Sequence, residues 1–224
     1  MASAWIALAL SLKVALWATA IDLVLGVAVG FALARLRFPG RALVDSILLL
    51  PMVLPPTVLG YYVLVVVGRH GWLGAWLESR FGIHLIFTWQ GAVIAAALVG
   101  FPFVCKSARA AFETVDVQYE QAASVLGLGA LAIFCRVTLP LAWRGIFAGV
   151  LLAFARALGE FGATLMVAGS IPGKTQTLSI AVYEAVQAGQ DDRANLLVLM
   201  ISLACLGVLL LAGHFAPARI PGRS

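Results

Sequence analysis

Five separate runs of mostly apolar residues, at 14–34, 46–67, 86–105, 141–159 and 194–213, constrain this chain more than any other feature. Each approaches the ~20 residues that an α-helix needs to cross a bilayer. Inside lipid a backbone must satisfy its own hydrogen bonds, which leaves helices and closed barrels as the only spanning structures. Runs of this length predict helices, so the expected fold is all-α. Composition agrees, with 62% hydrophobic and 11% charged residues, where an average soluble domain carries roughly a quarter charged. A soluble fold of 224 residues would leave large apolar patches bare to water. The expectation is a single transmembrane domain over 1–224, a polytopic bundle of about five spans. Residues 1–12 are too short to cross alone; they lie along the interface, extend the first helix or contribute to a sixth span. They lack a basic segment ahead of their apolar run, so no removable signal peptide is expected.

An odd number of spans puts the termini on opposite faces of the membrane. With the N-terminus outside, the inner face receives Arg35, Arg37, Arg41, Lys106, Arg109, Arg136, Arg144, Arg219 and Arg223. The outer face then receives Lys13, Arg69, Arg80, Lys174 and Arg193. The positive-inside rule favours this orientation, with the C-terminus in the cytoplasm. Net charge is +5, but the basic residues are dispersed, with no cluster of the kind that tracks nucleic acid. The three cysteines, Cys105, Cys135 and Cys205, have no metal-ligand or disulfide spacing, and no metal site is expected.

The second run contains Leu50-Pro51-Met52-Val53-Leu54-Pro55-Pro56-Thr57. Proline removes a backbone donor and clashes with the preceding turn. The run is therefore either a kinked span or a broken helix, and a break must pack on protein or line a wet cavity. Charge inside the fourth run points the same way. A charged side chain at mid-helix costs about 2.5–3.5 kcal/mol on insertion scales. Arg156 and Glu160 are four residues apart and can pair on one helical face. The stretch Phe154-Ala155-Arg156-Ala157-Leu158-Gly159-Glu160-Phe161-Gly162-Ala163-Thr164 is rich in small residues that permit close helix approach. Pro55, Pro56, Arg156, Glu160 and Thr164 are therefore candidates for a translocation path or gate. The alternative for Arg156 and Glu160 is a structural ion pair. Asp22 is a lone acid in the first run.

Catalysis finds no support. There is no Gly-x-Ser-x-Gly, no His-Glu-x-x-His, and no phosphate loop of the GxxxxGK[ST] type. The chain is not expected to be an enzyme or to hydrolyse ATP itself. Two loops are expected outside: 68–85, with Trp72 and Trp76 as interfacial anchors, and 170–193, which opens on a turn at Ile171-Pro172-Gly173-Lys174 and continues into a short amphipathic helix. That helix is either surface-packed or a dock for an external protein.

The remaining polar island, within the inner loop 106–140, is unexplained by residence in lipid. Tyr119–Leu126 reads as a short helix, Gly127 as a turn, and Leu128–Arg136 as a second short helix leading to Pro140. Such a knob suits rigid transmission of a push from a soluble partner to the spans.

These residues resemble the cytoplasmic coupling motif of importer-type ABC transporter permeases, Glu-Ala-Ala-x3-Gly-x9-Ile-x-Leu-Pro. Ala122, Ala123, Gly127, Leu139 and Pro140 match at the motif's spacing. Gln121 stands where the motif has Glu, with Glu120 one place earlier, and Val137 replaces Ile. Beyond the motif, Arg37-Phe38-Pro39-Gly40, the Leu50–Pro56 stretch, the Leu152–Thr164 stretch and Ile171-Pro172-Gly173-Lys174-Thr175-Gln176-Thr177 resemble the molybdate permease subfamily along nearly the whole chain. The resemblance implies a type I importer permease fold in the bacterial inner membrane. It implies a homodimeric pore, two ABC ATPase subunits that hold ATP and Mg, a periplasmic molybdate-binding protein and no cofactor on this chain. It implies that Glu120, Gln121, Ala122, Ala123, Gly127, Val137, Leu139 and Pro140 couple to the ATPase. Sulfate and tungstate are the neighbouring substrates.

Overall fold

The computed structural model describes residues 2–215, whose regular secondary structure is all helix, joined by turns and loops, with no strand among them. Arg219 and Arg223, counted above toward the inner face, lie outside the described residues. Helix α1 (Ala2–Arg35) is continuous over 34 residues, because its sequence carries no proline or helix-breaking turn and only Lys13, Asp22 and Arg35 as charges. At about 1.5 Å per residue it is roughly 50 Å long, more than the ~30 Å hydrocarbon core. Residues 2–12 therefore extend the first helix rather than form a separate element.

The second run is a broken span. Helix α2 (Arg41–Val53) and helix α3 (Pro56–Val67) meet at 112°. The amide of Leu54 still bonds the Leu50 carbonyl, but positions 55 and 56 are proline. The carbonyls of Pro51 and Met52 thus lose their i+4 donors. Outside the bilayer run, α4 (Trp72–Phe81) is a short helix. Helix α5 (Trp89–Glu113) opens on Thr88, whose Oγ1 accepts from the Gly91 amide at 3.2 Å, and continues eight residues beyond the third apolar run.

Helix α6 (Val117–Val125) begins at Asp116, whose Oδ1 accepts from the Gln118 amide at 2.9 Å. Helix α7 (Ala130–Ile133), a π turn (Phe134–Thr138) and helix α8 (Leu139–Leu158) form one continuous helix, Ala130–Leu158. The short helix expected over Leu128–Arg136 is therefore not separate but the first part of the fourth span. Proline at 140 does not end the helix, because the ladder widens ahead of it and the Leu139 amide reaches back to the Phe134 carbonyl. Past Gly159 the chain turns into α9 (Gly162–Ala168), α10 (Leu178–Gln187) and α11 (Asp191–Phe215). Counting the bent pair once, the described residues hold up to five spans.

Between helices in lipid there is no water to expel, so close packing carries association, and small residues permit it. Along the α1–α5 contact, a side chain at Gly26 would place its Cβ 2.9 Å from Val104, and one at Gly30 would sit 2.9 Å from the Cβ of Ala108. One core layer gathers Val14, Ala15 and Ala18 of α1, Ala92, Val93 and Ala96 of α5, and Ala157 and Leu158 of α8. At the other end Phe31 meets Phe112 and Phe134 edge-on, with ring centroids 5.2 and 4.8 Å apart. Helices α1, α5 and α8 are thus one packed body. Helix α3 and helix α9 share a second cluster with α5, built from Leu59, Val63, Ala95, Val99, Ala163 and Val167. Helix α2, by contrast, buries none of its residues.

Candidate functional site

Two regions carry the candidate residues. The first surrounds the break at Leu54. A partly enclosed cavity of about 420 Å³ is lined by Pro51, Val53, Pro55, Pro56, Phe103 and Arg156, among others. The broken span thus brings Pro55 and Pro56 beside a cation contributed by the last turn of α8. Two backbone carbonyls without i+4 donors and one guanidinium make this a polar point inside an apolar body, the arrangement that irregular backbone at membrane depth requires.

Arg156 is held from behind. Its Nη1 lies 2.8 Å from Oε2 of Glu160, whose side chain is 1% exposed against 31% for Arg156. The helix has ended at Leu158, so Glu160 stands in the turn between α8 and α9. Its other oxygen, Oε1, accepts from the Ala163 amide at 2.8 Å and caps α9. Helix α9 packs on α3 where Gly162 faces Pro56 and Thr57, and Gly60 faces Ala163 and Met166. The two chain breaks, at Leu54 and at Gly159, therefore abut, with Arg156 between them. Thr164 is buried within α9 and does not line the cavity.

The second region is the block between α5 and α8. Ala123 is buried under it, whereas Gln121 and Ala122 are exposed. Gly127 takes φ +83°, a left-handed conformation that favours glycine, and its amide bonds the Ser124 carbonyl at 2.9 Å while that of Leu128 bonds the Ala123 carbonyl. This turn presents Val125, Leu126 and Leu131 at 88%, 80% and 77% exposure. The tip lies between spans rather than within one, so these side chains form an unpartnered apolar surface. Val137 and Leu139 are half-buried and Pro140 is exposed where the π turn joins α8. Glu120 turns away from this tip: its Oε1 lies 2.7 Å from Nη2 and 3.2 Å from Nε of Arg35, and accepts from Thr138 Oγ1 at 2.9 Å.

Sequence reasoning missed a charge cluster at the same end of the bundle. Arg41 Nη2 lies 3.1 Å from Glu113 Oε1, and Arg109 lies 2.8 Å from Asp45 Oδ2 and 2.9 Å from Glu113. These pairs tie the start of α2 to the end of α5. Only Arg109 and Glu113, at helical i,i+4 spacing, had a local signal. Among the described residues no group of three or more His, Cys, Asp or Glu converges as a metal site.

Known proteins are similar to this chain in sequence and in fold. The chain is 47% identical over 208 residues to the molybdenum transport system permease protein of Escherichia coli (strain K12), covering 92% of this chain and 91% of that protein. It is 40% identical over 206 residues to a sulfate transport system permease protein of Synechococcus elongatus, covering 92% and 71%. In fold it is similar to a chain of the bacterial alginate ABC transporter crystallised with an alginate pentasaccharide-bound periplasmic protein. That match has a TM-score of 0.73 at 15% identity, over 98% of this chain and 80% of the other. The model for the binding-protein-dependent transport system inner membrane component matches residues 23–220, and the chain, a multi-span helical permease with the fold of ABC importers, belongs to that family.

Proposed function

We propose that this chain forms the membrane pore of an ATP-driven importer that carries molybdate across the inner membrane. The observation that carries the anion class is Arg156 at the cavity of the broken span, fixed 2.8 Å from a buried carboxylate. A partly covered guanidinium at a cavity wall can bind an oxyanion through paired N–H donors. The pairing with Glu160 keeps that attraction modest, which suits a site that must release what it receives. The likeness to a molybdenum permease at 47% identity supports molybdate among oxyanions; the likeness to a sulfate permease at 40% supports sulfate as the second reading.

The pore is assigned to a pair of identical chains, since five spans enclose little and a two-fold axis doubles them. The N-terminus is placed outside, with loop 170–193 facing an external molybdate-binding protein and the 106–140 segment facing the cytoplasm. There the exposed tip of α6 and α7 docks an ATPase subunit, one per copy, that holds ATP and Mg; this chain is the permease and hydrolyses nothing. Closure of the ATPase pair draws the two tips together and opens the outer side of the pore; hydrolysis resets it. A ligand shifts such an equilibrium only by its differential affinity for the two states, so selectivity belongs mainly to the external protein. Pro55, Pro56 and Arg156, which line the cavity, are assigned to the path or its gate, with Glu160 holding Arg156 from behind and Thr164 packed inside α9 behind that wall.

The test is uptake of labelled molybdate into vesicles containing the permease, the ATPase and the binding protein, with tungstate and sulfate as competitors. ATP-dependent uptake suppressed by tungstate and resistant to sulfate is the expected result. Suppression by excess sulfate and not by tungstate would overturn the substrate.

A further inference from the structure

Within the exposed block Glu120 turns inward onto Arg35 and Thr138. We propose that Glu120 is a positioning residue that rivets the block to α1, so that a push on the block moves the α1–α5–α8 body as one unit. The proposal rests on the reading that this block docks an ATPase.

The chain alone joins the block to α5 and, through the π turn, to α8. Arg35, the last residue of α1, supplies the third attachment. Its Nε and Nη2 both reach Glu120 Oε1, and Nη2 also donates to the Val115 carbonyl at 3.3 Å, just past the end of α5. Thr138, 1% exposed in the π turn, donates to the same carboxylate oxygen. One oxygen thus collects donors from two elements that are 85 and 18 residues away. Both side chains of the ion pair are mostly covered, at 19% and 18% exposure, so the contact is screened less than a surface pair. The body it joins is continuous, from Phe31 against Phe112 and Phe134 up to Val14 and Ala18 against Ala92 and Ala96. With Gln121 in the outward position, Glu120 serves transmission rather than attachment.

The experiment measures anions imported per ATP hydrolysed by the complete complex in vesicles. In E120Q and in R35Q the ratio should fall about fivefold or more, while the ATPase still co-purifies and hydrolyses ATP. The charge swap R35E with E120R should restore part of the loss, since it rebuilds the ion pair but not the bond to the Val115 carbonyl; a surface dock or a simple packing role would give no recovery. A ratio unchanged in E120Q, loss of ATPase binding in the single variants, or no recovery in the swap would each overturn the proposal. If E120Q does not accumulate, T138V is used instead, removing one neutral donor; a ratio about twofold lower supports the proposal and an unchanged one overturns it. Failure of the unaltered complex to couple ATP to uptake would instead defeat the docking assignment itself.

Discussion

Glu160 holds Arg156 with one carboxylate oxygen and caps α9 with the other, each at 2.8 Å. The two halves of that contact separate by mutation. Replacing Arg156 leaves a buried carboxylate with only the cap to satisfy it, at a cost of about 1–3 kcal/mol. R156Q should therefore lower the melting temperature of the purified permease and reduce uptake about tenfold or more, a loss equivalent to at least 1.4 kcal/mol in binding. R156K keeps the charge without the planar fork and should fall between R156Q and the unaltered chain in both measurements. Uptake by R156Q equal to that of the unaltered chain would remove Arg156 from the path.

Gly127 tests the block. Its φ of +83° is closed to proline, whose ring holds φ near −65°. G127P should still insert, since the turn lies outside every span, but it should redirect the apolar tip formed by Val125 and Leu126. The expected outcome is a complex whose ATP hydrolysis no longer drives uptake, read from both rates on the same vesicles. Normal uptake in G127P would count against the tip as the contact.

How much of this was legible follows from the range of each interaction. The spans were legible because bilayer thickness sets their length, and the proline cluster marked the second as kinked or broken, though not the 112° angle. Arg156 and Glu160 were found by their spacing, yet the helix ends between them, and nothing local indicated that Glu160 caps the next helix. The Arg35–Glu120 contact joins residues 85 apart, and a single sequence carries no sign of such a pairing. The π turn was hidden for a different reason, since Pro140 reads as a helix start until its preceding carbonyls are accounted for.

The α1–α5 seam predicts a stability effect without a functional contact. A side chain at Gly30 meets the Cβ of Ala108 and the Cys105 carbonyl at 2.9 Å, both in a helix that cannot yield locally. G30V should destabilise the permease by about 1–3 kcal/mol through overpacking, visible as a lower melting temperature in detergent. G207V, at a position with nothing within 4 Å of an added Cβ, should leave it unchanged.

Orientation is tested by where a membrane-impermeant thiol reagent reaches single cysteines placed in a chain whose own three cysteines are replaced by serine. Ser124 is exposed in α6, and Ser79 is exposed in α4. An outside N-terminus puts α4 beyond the outer face and α6 in the cytoplasm, because one span, α5, separates them. S79C should be labelled in intact cells and S124C only after the membrane is opened or inverted. The reverse pattern would turn the assembly over, and the apolar tip at Val125 and Leu126 would then face a partner outside the cell, where no ATPase can act.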